Sequence, residues 1–296
     1  MRKLDDAALH PVIKYLKNRI DSLSGLIQFE AGGEPIEIDA FRLRNLSAWA
    51  FEEYKSVFDS LGPLSGHCNL RCNFCYEKGN PLPYAKTTLS IQEARTRLRY
   101  YRQETRKGLP QFERRFYKEP FTNRDLIPIL KMVRAVDPGV EISITTNGTM
   151  LDEKTIEELC RLVPINLSVS VNSSNPDSRK KIMGDSCSEA SLRSLKKLKE
   201  HGLAFTGSIV AWPTLEMSDL LETIGFLDEH LARMIRITLP GYSRYYSEMP
   251  PFDTKQAWNA VLEAVWPLKE KIGTPPCWFS QVSITRNPLH HRSRGP

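Results

Sequence analysis

Between residues 140 and 272, short β-branched apolar runs take turns with longer amphipathic segments. This alternation limits the fold more than any other feature of the chain. VEISITT (140–146), INLSVSV (165–171), LAFTGSIVAW (203–212) and MIRITLP (234–240) are short, rich in Ile, Val and Thr, and read as strands. Helical patterns at 152–163, 176–183, 188–201 and 217–231 separate them, and a further one at 254–272 follows. Asp152 is the expected N-cap of the first. Strands joined by helices of this length pair in parallel through crossovers. Upstream, ERRFYKE (113–119) reads as a strand and NRDLIPILKMVRAV (123–136) as a helix. One more strand is expected near 59–66. Six βα units suit an α/β partial (β/α)6 TIM-like barrel better than a closed eight-fold one.

Residues 1–57 break this rhythm and read as a small N-terminal helical and hairpin appendage. HPVIKYLKNRIDSL and NLSAWAFEEYKSVF look helical, and GLIQFEAGGEPIEIDAF looks like a hairpin turning at Gly32-Gly33. The core domain is expected over 58–273. A C-terminal strand and a disordered basic tail are expected over 274–296. No apolar run is long enough to span a membrane, and the first twenty residues lack the features of a secretory signal. A cytoplasmic location is expected, where cysteine clusters bind metals more often than they form disulfides. Net charge is +6, and much of the basic excess lies in 95–134. Nucleic acid could use such a segment, but the interspersed Glu93, Glu104 and Asp125 fit a solvated helix face better.

GHCNLRCNFCYE (66–77) packs Cys68, Cys72 and Cys75 into eight residues. A structural zinc or an electron-transfer cluster wants four protein ligands. Cys160 falls on an apolar helix stripe, and Cys187 and Cys277 stand alone. Three thiolates leave either a partner elsewhere or a metal with an open position. The Cys-x-x-x-Cys-x-x-Cys spacing, with Phe74 just before the third cysteine, resembles the radical S-adenosylmethionine (radical SAM) superfamily. That resemblance implies a [4Fe-4S] cluster on Cys68, Cys72 and Cys75, with SAM on the open iron. It also implies an external reductant such as flavodoxin or ferredoxin, and a 5′-deoxyadenosyl radical that abstracts hydrogen from a small-molecule or peptide substrate.

The superfamily often carries Gly-Gly-Glu-Pro after its second strand. AGGEP (31–35) precedes the cysteine loop and is explained by a hairpin turn. FYKEPFTN (116–123) is the better match, with Glu119-Pro120 kept and Tyr117 and Lys118 in place of the glycines. The resemblance makes Phe74, Glu119, Asn147, Ser168, Ser170, Asn172 and Arg179 the candidate SAM-binding residues. Asn147-Gly148 suits a tight turn after the third strand. Ser168, Ser170 and Asn172 are expected to share one face of the fourth strand. Arg179 is expected either to clamp a carboxylate or to cap the following helix, and Trp212 lies where adenine contacts are expected. Residues 145–252 are also similar, more weakly, to a radical SAM subgroup that often carries a PDZ-type domain. An RNA-modifying radical SAM enzyme and a non-catalytic iron–sulfur protein remain the alternative readings.

Overall fold

A computed structural model describes residues 26–31, 34–39, 56–75, 88–109, 118–240, 253–273 and 276–277. The chain divides into two compact units, Met1–Gly62 with Gln92–Arg114, and Pro63–Ile91 with Arg115–Pro296.

In the first unit the expected hairpin is present. β1 (Leu26–Ala31) pairs antiparallel with β2 (Glu34–Asp39), and Ala31 lies opposite Glu34. Its Gly32-Gly33 turn and the helices predicted on either side lie outside the described residues. The strand expected near 59–66 does not form. Asp59–Leu61 is a 3-10 turn and irregular backbone follows. Gly62 (φ 72°), Pro63 and Gly66 interrupt any run that could pair in a ladder. Helix α1 (Ile91–Tyr100) carries a Glu93–Arg97 ion pair at 2.7 Å, one turn apart.

The second unit holds the βα series. Most of the strand expected at 113–119 lies outside the described residues, and Lys118 and Glu119 belong to no strand. Then come α2 (Leu126–Val136), β3 (Ile142–Thr146), α3 (Glu153–Cys160), β4 (Ile165–Ser170), α4 (Pro176–Met183) and α5 (Ser188–Glu200). After these come β5 (Phe205–Val210), α6 (Met217–Glu229), β6 (Met234–Thr238), α7 (Thr254–Val265) and β7 (Pro276–Cys277). The strands pair in parallel in the order β3-β4-β5-β6-β7. The helix expected to reach 272 stops at Val265 and tightens into a 3-10 turn over Trp266–Glu270. Pro267 has no N–H to continue the α-helical ladder.

Local chemistry explains the boundaries. The Asp152 carboxylate accepts the Thr155 N–H (2.8 Å) and starts α3, as expected. Asn175 caps α4 by accepting from Asp177 and Ser178, Pro176 opens the helix, and Gly184 (φ 67°) closes it. Arg134, in the last turn of α2, donates to the carbonyls of Pro138, Val140, Leu162 and Pro164, tying together the turns that enter β3 and β4.

Register gives the sheet two different faces. Ile144, Leu167 and Phe205 align, as do Thr146, Val169, Gly207 and Ile235. These residues are buried. A Cβ on Gly207 would lie 2.5 Å from Leu227 of α6, so only glycine allows that close approach. The opposite face aligns Thr145, Ser168 and Thr206 in one row and Ser170, Ser208 and Arg236 in the next. Among the described residues no helix is long and apolar enough to cross a membrane.

Candidate active site

The cysteine loop, described from Gly66 to Cys75, has no regular structure of its own. Two of its backbone donors go instead to the C-terminal turn of α4, whose last carbonyls have no partner within the helix. Arg71 N–H donates to Met183 O (3.2 Å) and Asn73 N–H to Ile182 O (2.8 Å). The Asn73 side-chain amide donates to Lys181 O (3.2 Å). Gly184 turns the chain away directly beside Arg71. On the other flank, His67 O accepts the Glu119 N–H (3.0 Å), and the Ser65 and Thr122 hydroxyls are 2.7 Å apart. Phe74 packs against buried Trp212, just past β5, together with Leu215. The loop therefore sits at the C-terminal ends of β3, β4 and β5.

Glu119 is 2% exposed rather than a surface carboxylate. Its Oε1 accepts from Phe121 N (3.2 Å) and Thr146 Oγ1 (2.7 Å), and its Oε2 accepts from Asn147 N (2.7 Å). Burial pushes its carboxyl above the ordinary value, against the pull of these three donors. From the opposite side, Arg179 Nη2 donates to Asn147 O (2.6 Å). The two peptide groups that flank the Asn147 Cα are thus gripped by a buried carboxylate and a buried guanidinium. The Asn147 side chain is thereby aimed at the cysteine loop: its amide donates to Asn69 Oδ1 (2.8 Å) and reaches Cys68 Sγ (3.9 Å).

Arg179 is 1% exposed and pairs with Asp185 (2.8 Å). Its remaining bonds go to the carbonyls of Ser170 (3.0 Å) and Val171 (2.6 Å) at the end of β4. Of the two roles expected from the sequence, the carboxylate clamp is the one formed, and the carboxylate is the protein's own Asp185. The side chain closes onto the protein and ties together the ends of β3 and β4. Asn172 also departs from expectation. Its φ of 62° breaks the strand alternation, so it does not share the face of Ser168 and Ser170. It is buried, accepts from Val210 N (2.8 Å) and donates to Met183 Sδ (3.2 Å), which joins β4, β5 and α4. Ser168 and Ser170 do lie together on the polar face, both half-buried.

Cys68 is exposed, and Cys72 and Cys75 are half-buried. Burial, and then the neighbouring Cys75 and Cys68, push the Cys72 thiol up to about 12. Cys72 therefore resists ionising beside the other two cysteines until a cation is bound, which fits a cationic iron–sulfur cube. Among the described residues no three His, Cys, Asp or Glu side chains are placed to hold a single metal ion. A cube takes one thiolate per iron and does not require the sulfurs to converge on one point. Cys160 is half-buried within α3 and Cys187 is exposed at the start of α5.

Reading the sequence alone misses Asn69, Thr146 and Asn123. Asn123 is buried and donates to Leu64 O (2.8 Å) and Leu89 O (2.9 Å), fixing the segment before the cysteine loop. Nothing in its local pattern separates it from a turn residue. Arg236 is missed too, although MIRIT alternates and sets its arginine on the face opposite Ile235 and Ile237.

A parallel α/β sheet with a three-cysteine loop braced at the C-terminal ends of its strands is the arrangement expected of a radical SAM protein. Residues 63–227, more than half of the chain, match the Radical SAM superfamily, and the chain belongs to it. It is similar to GTP 3′,8-cyclase of Aquifex aeolicus (strain VF5), 31% identical over 126 residues, 42% of this chain and 38% of that protein. It is also similar to GTP 3′,8-cyclase of Clostridium perfringens (strain 13 / Type A), 24% identical over 168 residues, 56% of this chain and 50% of that protein. The matches thus span half or less of these curated relatives. Among solved structures, Streptococcus suis SuiB bound to S-adenosylmethionine is similar, with a TM-score of 0.57 and 15% identity, over 80% of this chain and 54% of that one. The complex of SuiB with precursor peptide SuiA aligns with a TM-score of 0.57 and 14% identity, over 88% of this chain and 58% of that one. The fold is that of the radical SAM partial TIM barrels. The protein is a radical SAM enzyme.

Proposed function

We propose that Cys68, Cys72 and Cys75 hold a [4Fe-4S] cluster with one iron left open for SAM, and that the chain uses SAM to abstract hydrogen from a small-molecule or peptide substrate. The observation that carries this reading is the Glu119–Asn147–Arg179 brace, which fixes an asparagine amide against Cys68 and Asn69. When bound, such a cluster supplies the electron that breaks the SAM sulfonium bond and yields methionine and a 5′-deoxyadenosyl radical.

Each residue has a distinct part. Among the described residues Glu119 Oε2 accepts only the Asn147 N–H, so it retains an acceptor site for the SAM ammonium. Ser168 and Ser170 offer hydroxyls on the polar face for the polar parts of SAM or substrate. Phe74 and Trp212 pack together and give the loop an apolar, water-excluding side. Arg179 and Asn172 are positioning residues, because their polar atoms bind the ends of β4 and β5. A flavodoxin- or ferredoxin-type protein would supply the electron.

The small-molecule arm draws on the GTP 3′,8-cyclase relatives, and the peptide arm on the likeness to SuiB, whose complex holds a precursor peptide. The test is anaerobic reconstitution with iron and sulfide, followed by dithionite and SAM. Formation of 5′-deoxyadenosine by the wild type, and none by Cys72→Ala, supports the reading. SAM that is never cleaved by an iron-replete wild type counts against it. An affinity for RNA that falls steeply with salt would favour the RNA-modifying alternative.

A further inference from the structure

Arg236 lies in the middle of β6 on the polar face of the sheet, half-buried. A guanidinium in that position ordinarily meets a carboxylate. Among the described residues it meets hydroxyls only. Nη2 lies 3.2 Å from Ser208 Oγ and 3.4 Å from Ser168 Oγ, and Nε lies 3.4 Å from Ser208 Oγ. These contacts are long for a charged donor, which bonds an anionic oxygen at about 2.7–2.9 Å. Each serine oxygen that accepts from Arg236 keeps its own O–H to donate. One guanidinium fork and two hydroxyl donors therefore converge on the same side of the sheet, with no acceptor of matching charge among the described residues.

Register fixes where this group stands. Arg236 aligns with Ser208 and Ser170, and Ser170 follows Val169, the partner of Thr146, directly before Asn147, which touches the cysteine loop. Three interstrand steps separate β3 from β6, roughly 14 Å along the sheet. That offset sets Arg236 across the polar face from the proposed cluster.

We propose that Arg236, with Ser168 and Ser208, forms an oxyanion-binding subsite that takes a phosphate or carboxylate group of the substrate. This rests on the proposed function only for the word substrate. The anion site itself follows from the donors.

The test is calorimetric titration of the reconstituted, SAM-loaded chain at low salt, with inorganic phosphate and succinate as separate probes. Phosphate stands for a phosphorylated substrate and succinate for a carboxylate one, and the arm that saturates identifies the source. Arg236→Gln should weaken the binding probe by about tenfold or more, and Arg236→Lys by less, because the charge is kept and the fork is lost. SAM affinity measured without a probe should be the same in both variants and the wild type. Failure of both probes to bind the wild type would overturn the subsite. So would unchanged probe affinity in Arg236→Gln. A parallel loss of SAM affinity would also overturn it, by assigning the guanidinium to the SAM carboxylate. Should Arg236→Gln not fold, Ser208→Ala in the same titration reads the site, with weaker probe binding expected and unchanged binding refuting it. The same preparations are assayed for 5′-deoxyadenosine. Its absence would sink the radical reading while leaving the titration result to stand.

Discussion

Replacing Glu119 with Gln separates a brace from a cofactor contact. The carboxylate accepts two backbone N–H groups, those of Phe121 and Asn147, and the Thr146 hydroxyl, at a position 2% exposed. Gln keeps the shape but turns one acceptor into an NH2 donor. In one orientation that donor faces the Asn147 N–H, and in the other it faces the Phe121 N–H and Thr146. Either way a buried backbone donor loses its partner, at a cost of about 1–3 kcal/mol. Glu119→Ala orphans both N–H groups and leaves a void, so its loss should be larger, about 2–6 kcal/mol from the two donors alone. Urea unfolding of the metal-free chain at neutral pH reads this loss directly, since neither cluster nor SAM is present. Thr146 can rotate its hydroxyl elsewhere, so Thr146→Val should cost less than Glu119→Gln. A Glu119→Gln chain as stable as the wild type would refute the brace. Weak SAM binding in that same stable chain would then leave Glu119 as a cofactor contact alone.

Other substitutions probe the neighbouring parts. Cys68→Ala, Cys72→Ala and Cys75→Ala should each lose bound iron after reconstitution, whereas Cys187→Ala should retain it; equal iron loss from Cys187→Ala would reveal a fourth ligand. Gly207→Ala places a methyl 2.5 Å from Leu227 and should cost about 1–3 kcal/mol in urea unfolding; a variant as stable as the wild type would refute the close approach. Asp152→Ala removes the cap of α3 and should cost about 1 kcal/mol near neutral pH. The Thr155 hydrogen bonds hold the Asp152 carboxyl below its ordinary value. The advantage of the wild type is therefore present above the ordinary carboxylate range and fades as pH falls through the lowered value. An advantage that grows on acidification would contradict the sign.

The helices and strands from 123 to 265 were legible because their boundaries are written in local chemistry. Asp152 and Asn175 are caps, Pro176 and Gly184 punctuate α4, and the strands carry β-branched runs. The strand expected near 59–66 does not form, because Gly62, Pro63 and Gly66 break the run. At the site, the cysteine spacing and Glu119 were visible as a motif, and Asn147 as a turn residue. What could not be read was which polar groups meet. The ion pair of Arg179 with Asp185 and its bonds across β3 and β4 are tertiary facts. Asn172 was misplaced because strict alternation assumes extended backbone, and a φ of 62° is not extended.

Mössbauer spectroscopy of the reconstituted chain, with and without SAM, tests the three-thiolate cluster most directly. The account predicts about four irons per chain, of which one changes its isomer shift when SAM is added, because only one iron lacks a protein thiolate. Four irons whose spectra are untouched by saturating SAM would contradict it.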